Sequence, residues 1–146
     1  MSGTALGSRE LLEGIRDGRF PPPASAALLD LELDLVEEGH TVFGFRPART
    51  FDNGQGLVHG GILATVADYA VGTCVMTAAP PDALVVTTNL ALTYVRPVAV
   101  TAGRLTGEGR LVHLGRTLAH AEAVLSDERG RRLLHATATL VAARPD

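Results

Sequence analysis

The feature that most constrains this chain is the change of character between Asn53 and Ala79, NGQGLVHGGILATVADYAVGTCVMTAA, where a glycine-rich loop runs straight into an apolar segment. Gly54, Gly56, Gly60 and Gly61 leave the backbone free for tight or closely approached conformations, and the apolar run after them is compatible with a long helix. The helix expected over 60–78 carries Ile62, Leu63, Val66, Ala67, Ala70, Val71, Cys74, Val75 and Ala78. These apolar side chains cover most of its circumference, so burial is expected on nearly all sides. Between Gly54 and Pro81 the only Asp, Glu, Lys or Arg is Asp68. An ionised carboxylate left unpaired in such a setting costs several kcal/mol, so Asp68 must reach a cleft, find donors or give up its charge. That makes it the first catalytic candidate, set against the plainer reading of a helix-edge carboxylate that meets solvent or an Arg.

His59-Gly60-Gly61 stands where the helix would begin. The first N–H groups of a helix have no partner within it and together carry about half a positive charge, so they can hold a carbonyl oxygen as it becomes an oxyanion. With Asn53 upstream as a side-chain amide donor and Asp68 two turns further on, the segment offers a polariser and a base or nucleophile on one short scaffold.

The rest of the chain excludes several functions. All thirteen basic residues are Arg, dispersed without a block in a chain of net charge −3, which is no footprint for nucleic acid. Cys74 is the only cysteine and falls inside the apolar helix, so no intrachain disulfide can form and a reducing, cytoplasmic setting is expected. The N-terminal stretch is polar and glycine-rich without an apolar core, unlike a secretory signal. Asp68, the His-Gly-Gly entry and the repeated Thr and Gly argue against a membrane role for the helix. Histidines at 40, 59, 113, 120 and 135 lack ligand spacing, so no metal is expected, and no Gly-x-Ser-x-Gly elbow exists. Gly54-x-Gly56-x-x-His59 lacks the last glycine of a dinucleotide fingerprint and comes after a polar stretch.

At 146 residues the chain reads as a lead-in over 1–29 and one domain over 30–146. A short amphipathic helix after a Ser8 cap is expected, ending at Gly18, then Pro21-Pro22-Pro23 and one further helical turn over 24–29. Leu31, Leu33 and Leu35 alternate with Asp30, Glu32 and Asp34 in a first strand over 30–36, returning through 41–46. After the helix come strands over 84–95, 101–112, 115–125 and 132–141. In the first of these, Leu84, Val86, Leu90, Leu92 and Tyr94 are expected on one face, with Thr87, Asn89 and Thr93 on the other. Two strands, one long helix and four strands joined by short turns define an α+β domain in which an antiparallel sheet curls around the helix. Six strands alone would hardly cover that helix, so a dimer or larger assembly is expected.

The run Asn53 to Gly61, Asp68 in the helix, the strand ending Leu92-Thr93-Tyr94-Val95-Arg96-Pro97, and Gly115-Arg116 together resemble the hotdog-fold acyl-CoA thioesterases of the PaaI-like group, over about residues 20–142. The resemblance implies an α+β hotdog fold, about six antiparallel strands wrapped around one long central helix. It also implies active sites between the protomers of a homodimer, often within a homotetramer. Carried over by position, Asp68 resembles the catalytic carboxylate and Gly60 the helix N-terminal amide that polarises the thioester carbonyl. Asn53 resembles the amide that orients water or substrate, Thr87 a Ser/Thr that a partner protomer contributes in some members, and His59 the residue before the glycine. Gly61, Arg96, His113, Gly115 and Arg116 are the implied substrate and coenzyme A contacts. Asn89 and Ala91 depart from the pattern expected ahead of Tyr94, which bears on acyl specificity and not on the fold.

The implied reaction is hydrolysis of a small or medium acyl-CoA, aryl-acyl groups included, to free acid and CoA, with no cofactor beyond the substrate. A thiol of pKa near ~8.5 leaves readily, so an attacking oxygen and one oxyanion donor suffice. The rivals are a non-catalytic acyl-CoA-binding hotdog protein and a hotdog hydratase or dehydratase acting on enoyl-thioesters. The latter would need an acid beside His59 that the sequence does not supply.

Overall fold

The computed structural model describes residues 6–144. In chain order it contains helices α1 (Ser8–Arg16) and α2 (Ala24–Leu28), strands β1 (Glu32–Glu37) and β2 (His40–Phe45), and a 3-10 turn at Arg49–Phe51. The long helix α3 (Gly60–Ala78) comes next, then β3 (Leu84–Tyr94), β4 (Leu105–Leu114), β5 (Leu118–Ser126) and β6 (Arg132–Ala143). The six strands form one sheet in the order β1-β2-β4-β5-β6-β3, antiparallel at every pairing. Its concave face packs on α3, as the α+β hotdog expectation requires. α3 spans the 19 residues the sequence marks out, and although its length and composition alone would suit a membrane span, it is the core helix of this sheet.

Small residues let the helix sit directly on the strands. Gly107 and Gly109 of β4 lie beneath α3, and a Cβ at Gly109 would run into the Ala70 carbonyl. Ala119, Ala121 and Ala123 of β5, with Leu134, Ala136, Ala138 and Leu140 of β6, complete the buried surface that receives Val66, Ala67, Val71, Cys74 and Val75. Thr41 and Thr73 bury their hydroxyls against one another at 2.9 Å, so the polar groups in this interface are satisfied. Burial pushes the Cys74 thiol up to about 12.

Five expectations need correction. α1 begins at Ser8, with Gly7 rather than Ser8 in the capping position, and the Ser8 side chain makes no cap hydrogen bond. α3 is buried on its sheet side only: Thr65, Asp68, Tyr69, Gly72 and Met76 on the other side are partly exposed and face a cavity. In β1 the register shifts between Leu33 and Leu35, so Val36, opposite the buried Thr41, turns inward where Leu35 was expected. In β3 it shifts between Thr87 and Asn89. That extra residue reverses the alternation: Val85 and Thr87 point toward α3 ahead of the bulge, while Leu84 and Val86 are exposed. Leu90 and Leu92 keep the inward face after it. The strands expected over 101–112 and 115–125 also start later, at Leu105 and Leu118, because 101–104 are turn and irregular chain and 115–117 form the turn between β4 and β5.

Candidate active site

The loop before α3 is built from its own polar side chains. The Asp52 carboxylate accepts the N–H groups of Gly54 and Gly56 at 2.9 and 2.8 Å, and both glycines take positive φ, +90° and +76°. Asn53 accepts the Gln55 N–H on its side-chain oxygen at 2.9 Å, which leaves its amide nitrogen as the donor toward solvent. Val58 and His59 donate to the carbonyls of Val98 and Phe51, both at 2.8 Å, and so anchor the helix entry to neighbouring segments.

His59 is the N-cap of α3. Its Nδ1 accepts the Gly61 N–H at 2.9 Å, and its carbonyl accepts Ile62 and Leu63. A Cβ at Gly61 would stand 3.1 Å from that Nδ1, so any side chain there would press the ring by a few tenths of an ångström. Of the amides at the helix start, Gly60 N–H is the one without an acceptor among the described residues. It is therefore the donor available to an incoming oxygen, while Gly61, grouped with it from the sequence, is already engaged. The Tyr94 hydroxyl donates to the Gly60 carbonyl at 2.8 Å and ties the end of β3 to this turn.

Asp68 lies on the cavity side of α3, and its Oδ1 accepts the Thr87 hydroxyl at 2.8 Å. The β3 bulge makes this contact by turning Thr87 inward, so within a single chain Thr87 serves its own Asp68. The pair sits where two cavities meet. On one side is an apolar cavity of about 570 Å³ running under α1 and α2; on the other is an open groove of about 440 Å³ along Thr65, Thr88 and Asn89.

The remaining candidates are not gathered in one place. Eight residues of helix separate Gly60 from Asp68, about 12 Å of axial rise, too far for both to serve one carbonyl within a chain. Arg96 donates to the Arg132 carbonyl at the Leu133 end of β6, whereas Thr117, next to Arg116, pairs with Ala142 at the other end. At about 3.3 Å per residue, the two arginines stand about 30 Å apart along the sheet. His113 stacks on His120 with ring centroids 6.5 Å apart, close to Gly115, whose N–H donates to the Leu118 carbonyl at 2.8 Å. The sequence reading missed Tyr94 as a support for the helix start, and it missed the α1–α2 wall of the cavity. The apolar face of Leu11, Leu12 and Ile15 was the available signal for that wall.

One long helix wrapped by a six-stranded antiparallel sheet is the hotdog fold. The chain belongs to the thioesterase superfamily, whose family model matches residues 55–134, and is a hydrolase of that family. It is 34% identical over 107 residues to the proofreading thioesterase EntH of Klebsiella pneumoniae, covering 73% of this chain and 68% of that protein. A putative thioesterase of Ralstonia eutropha, related to phenylacetic acid degradation, superposes with a TM-score of 0.80 at 30% identity over 89% of this chain and 98% of its own. A Streptococcus mutans protein solved with acetyl-CoA bound shares the fold, with a TM-score of 0.71 at 23% identity over 77% and 87% of the two chains. These likenesses bear out the resemblance drawn from the Asn53–Gly61 loop and Asp68.

Proposed function

We propose that the protein is an acyl-CoA thioesterase in which Asp68 is the base or nucleophile and the Gly60 N–H holds the oxyanion. The observation that carries this reading is the Asp68–Thr87 hydrogen bond at the junction of an apolar cavity and an open groove. Thr87 fixes one carboxylate oxygen and leaves the other toward the junction. There it either takes a proton from water, which adds to the thioester carbon, or adds to that carbon directly. The electron pair of the carbonyl moves onto oxygen at Gly60 N–H, returns, and expels the CoA thiolate; the water route gives the free acid at once, whereas direct attack leaves a mixed anhydride on Asp68 that water then cleaves to the acid and the carboxylate. Acetyl-CoA bound to the Streptococcus mutans relative supports a CoA ester as substrate.

The rise of about 12 Å between Gly60 and Asp68 supports a site shared by two copies, with the amide of one facing the carboxylate of the other. In this reading Asn53 orients water or substrate at the helix start, and Gly61, Arg96, His113, Gly115 and Arg116 are the substrate and CoA contacts that the family resemblance implies. A homodimer or homotetramer is thus part of the proposal, and the free, buried Cys74 fits a reducing cytoplasm. A hydratase is disfavoured because the His59 ring is engaged as a helix cap.

The test is release of free thiol from a panel of acyl-CoAs by wild type, Asp68→Asn and Asp68→Ala. Both variants are expected to lose about a hundredfold or more in kcat/KM while keeping the wild-type thermal midpoint. Turnover indifferent to Asp68 would remove the mechanism, and binding of acyl-CoA with no turnover would favour the non-catalytic reading.

A further inference from the structure

The apolar cavity beside Asp68 has a shape and a lining that narrow the acyl group. On α3 it runs from Asp68 past Gly72 to Met76, one face of the helix at three- to four-residue spacing. Eight residues of helix make this about 12 Å long. Leu12, Ile15 and Pro22 form the opposite wall. Its polar groups are few: the Ser25 hydroxyl bonds the Tyr69 hydroxyl, and Thr73 donates to the Tyr69 carbonyl at 2.7 Å. The Asp68–Thr87 pair stands at the mouth, and within the cavity only the Ser25–Tyr69 hydroxyl pair keeps a proton to offer, since one of its two O–H groups serves the other. A Cβ at Gly72 meets no atom within 4 Å, so the middle of the channel is held open by a missing side chain.

We propose that this channel takes the acyl chain, that the occupant is a linear chain of about eight to ten carbons, and that Gly72 and Met76 with the α1–α2 wall set its length. With bonds of about 1.5 Å at tetrahedral angles, each carbon advances about 1.3 Å, so a carbonyl at Asp68 leaves room for roughly nine carbons before Met76. The Ser25–Tyr69 bond latches α2 to α3 and keeps the wall in place. This inference rests on the thioesterase reading and adds the substrate class to it.

The experiment measures thiol release from acetyl-, butyryl-, octanoyl-, decanoyl-, palmitoyl- and phenylacetyl-CoA by wild type, Gly72→Leu and Met76→Ala. Calorimetric titration with decanoate runs in parallel as a readout independent of turnover. Leu is a far better helix former than Gly, so Gly72→Leu is not expected to threaten the fold, and Met76→Ala changes the same channel without adding bulk. Wild type should prefer octanoyl- and decanoyl-CoA over the other esters. Gly72→Leu should lower the decanoyl-to-butyryl ratio of kcat/KM by about tenfold or more, the scale of one or two methylenes in an apolar pocket, and Met76→Ala should move the optimum to longer chains. A ratio that changes less than about threefold in Gly72→Leu, or a wild-type preference for phenylacetyl-CoA, overturns the channel and leaves the thioesterase standing. If wild type releases no thiol from any ester, the thioesterase reading fails. Decanoate binding to wild type but not to Gly72→Leu would then still uphold the channel, and decanoate binding to neither would end it.

Discussion

The two sides of α3 share one backbone and differ in almost everything else. Toward the sheet, Val66, Ala67, Ala70, Val71 and Cys74 are fully buried, and the Ala70 backbone rests on Gly109. Toward α1 and α2, Thr65, Asp68, Tyr69, Gly72 and Met76 stand along a cavity. The first side is packed to the density of a core, where even one methylene is felt. The second is held apart by proline, by short helices and by one polar latch, and space remains for a ligand. A single helix can therefore be both the stability element and the wall of the site, because burial on one side fixes the axis from which the other side works.

Substitutions on the two sides should separate these roles. The largest effect belongs to Asp68→Asn: about a hundredfold or more in kcat/KM at an unchanged thermal midpoint, and a fall in both together would place Asp68 with the core. Gly109→Val on the sheet side should do the reverse. The new side chain meets Ala70 backbone, which cannot move aside as a flexible side chain would, so a loss of about 1–3 kcal/mol is expected in urea unfolding. An unchanged midpoint would mean that helix and sheet are less closely seated than described.

Tyr94→Phe removes one hydrogen bond at the helix start and leaves the ring, so a loss of about 1 kcal/mol is expected. It should appear as a several-fold fall in kcat with KM little changed, since a merely structural contact would lower stability alone. The smallest effect lies at Cys74, where burial raises the folded thiol from 9.0 to about 12. Between those values the folded state keeps a proton that the unfolded state has released. The resulting stabilisation is complete below pH 9 and is lost as pH rises toward 12. Native protein at neutral pH should accordingly leave Cys74 unmodified by a thiol reagent that labels it after unfolding, and rapid native labelling would show that this side of α3 opens.

Much of the fold was legible in the residues alone. The bounds of α3 are marked by His-Gly-Gly at one end and Pro80-Pro81 at the other, around an unbroken run of helix-compatible residues. Asp68 stood out because it is alone in that run. The inward faces of β5 and β6 follow the residues directly, with Ala119, Ala121 and Ala123, and Leu134, Ala136, Ala138 and Leu140, at every second position. The faces of β1 and β3 were misread because each carries a bulge, and one extra residue reverses the alternation while leaving the composition untouched.

What the sequence determined by itself is the set of local choices: a glycine loop, a helix with one carboxylate, strands with their turns, and a family resemblance carried by Asn53, His59, Gly60 and Asp68. Local propensity and periodicity suffice for these, since neighbours along the chain decide them. Tertiary structure alone decided that Thr87 faces Asp68, that the His59 ring occupies Gly61 and leaves Gly60 free, and that α1, α2 and β3 close a channel beside them. Those outcomes join residues dozens of positions apart. They depend on how one bulge and two short helices settle against a common axis, and no local pattern records that packing.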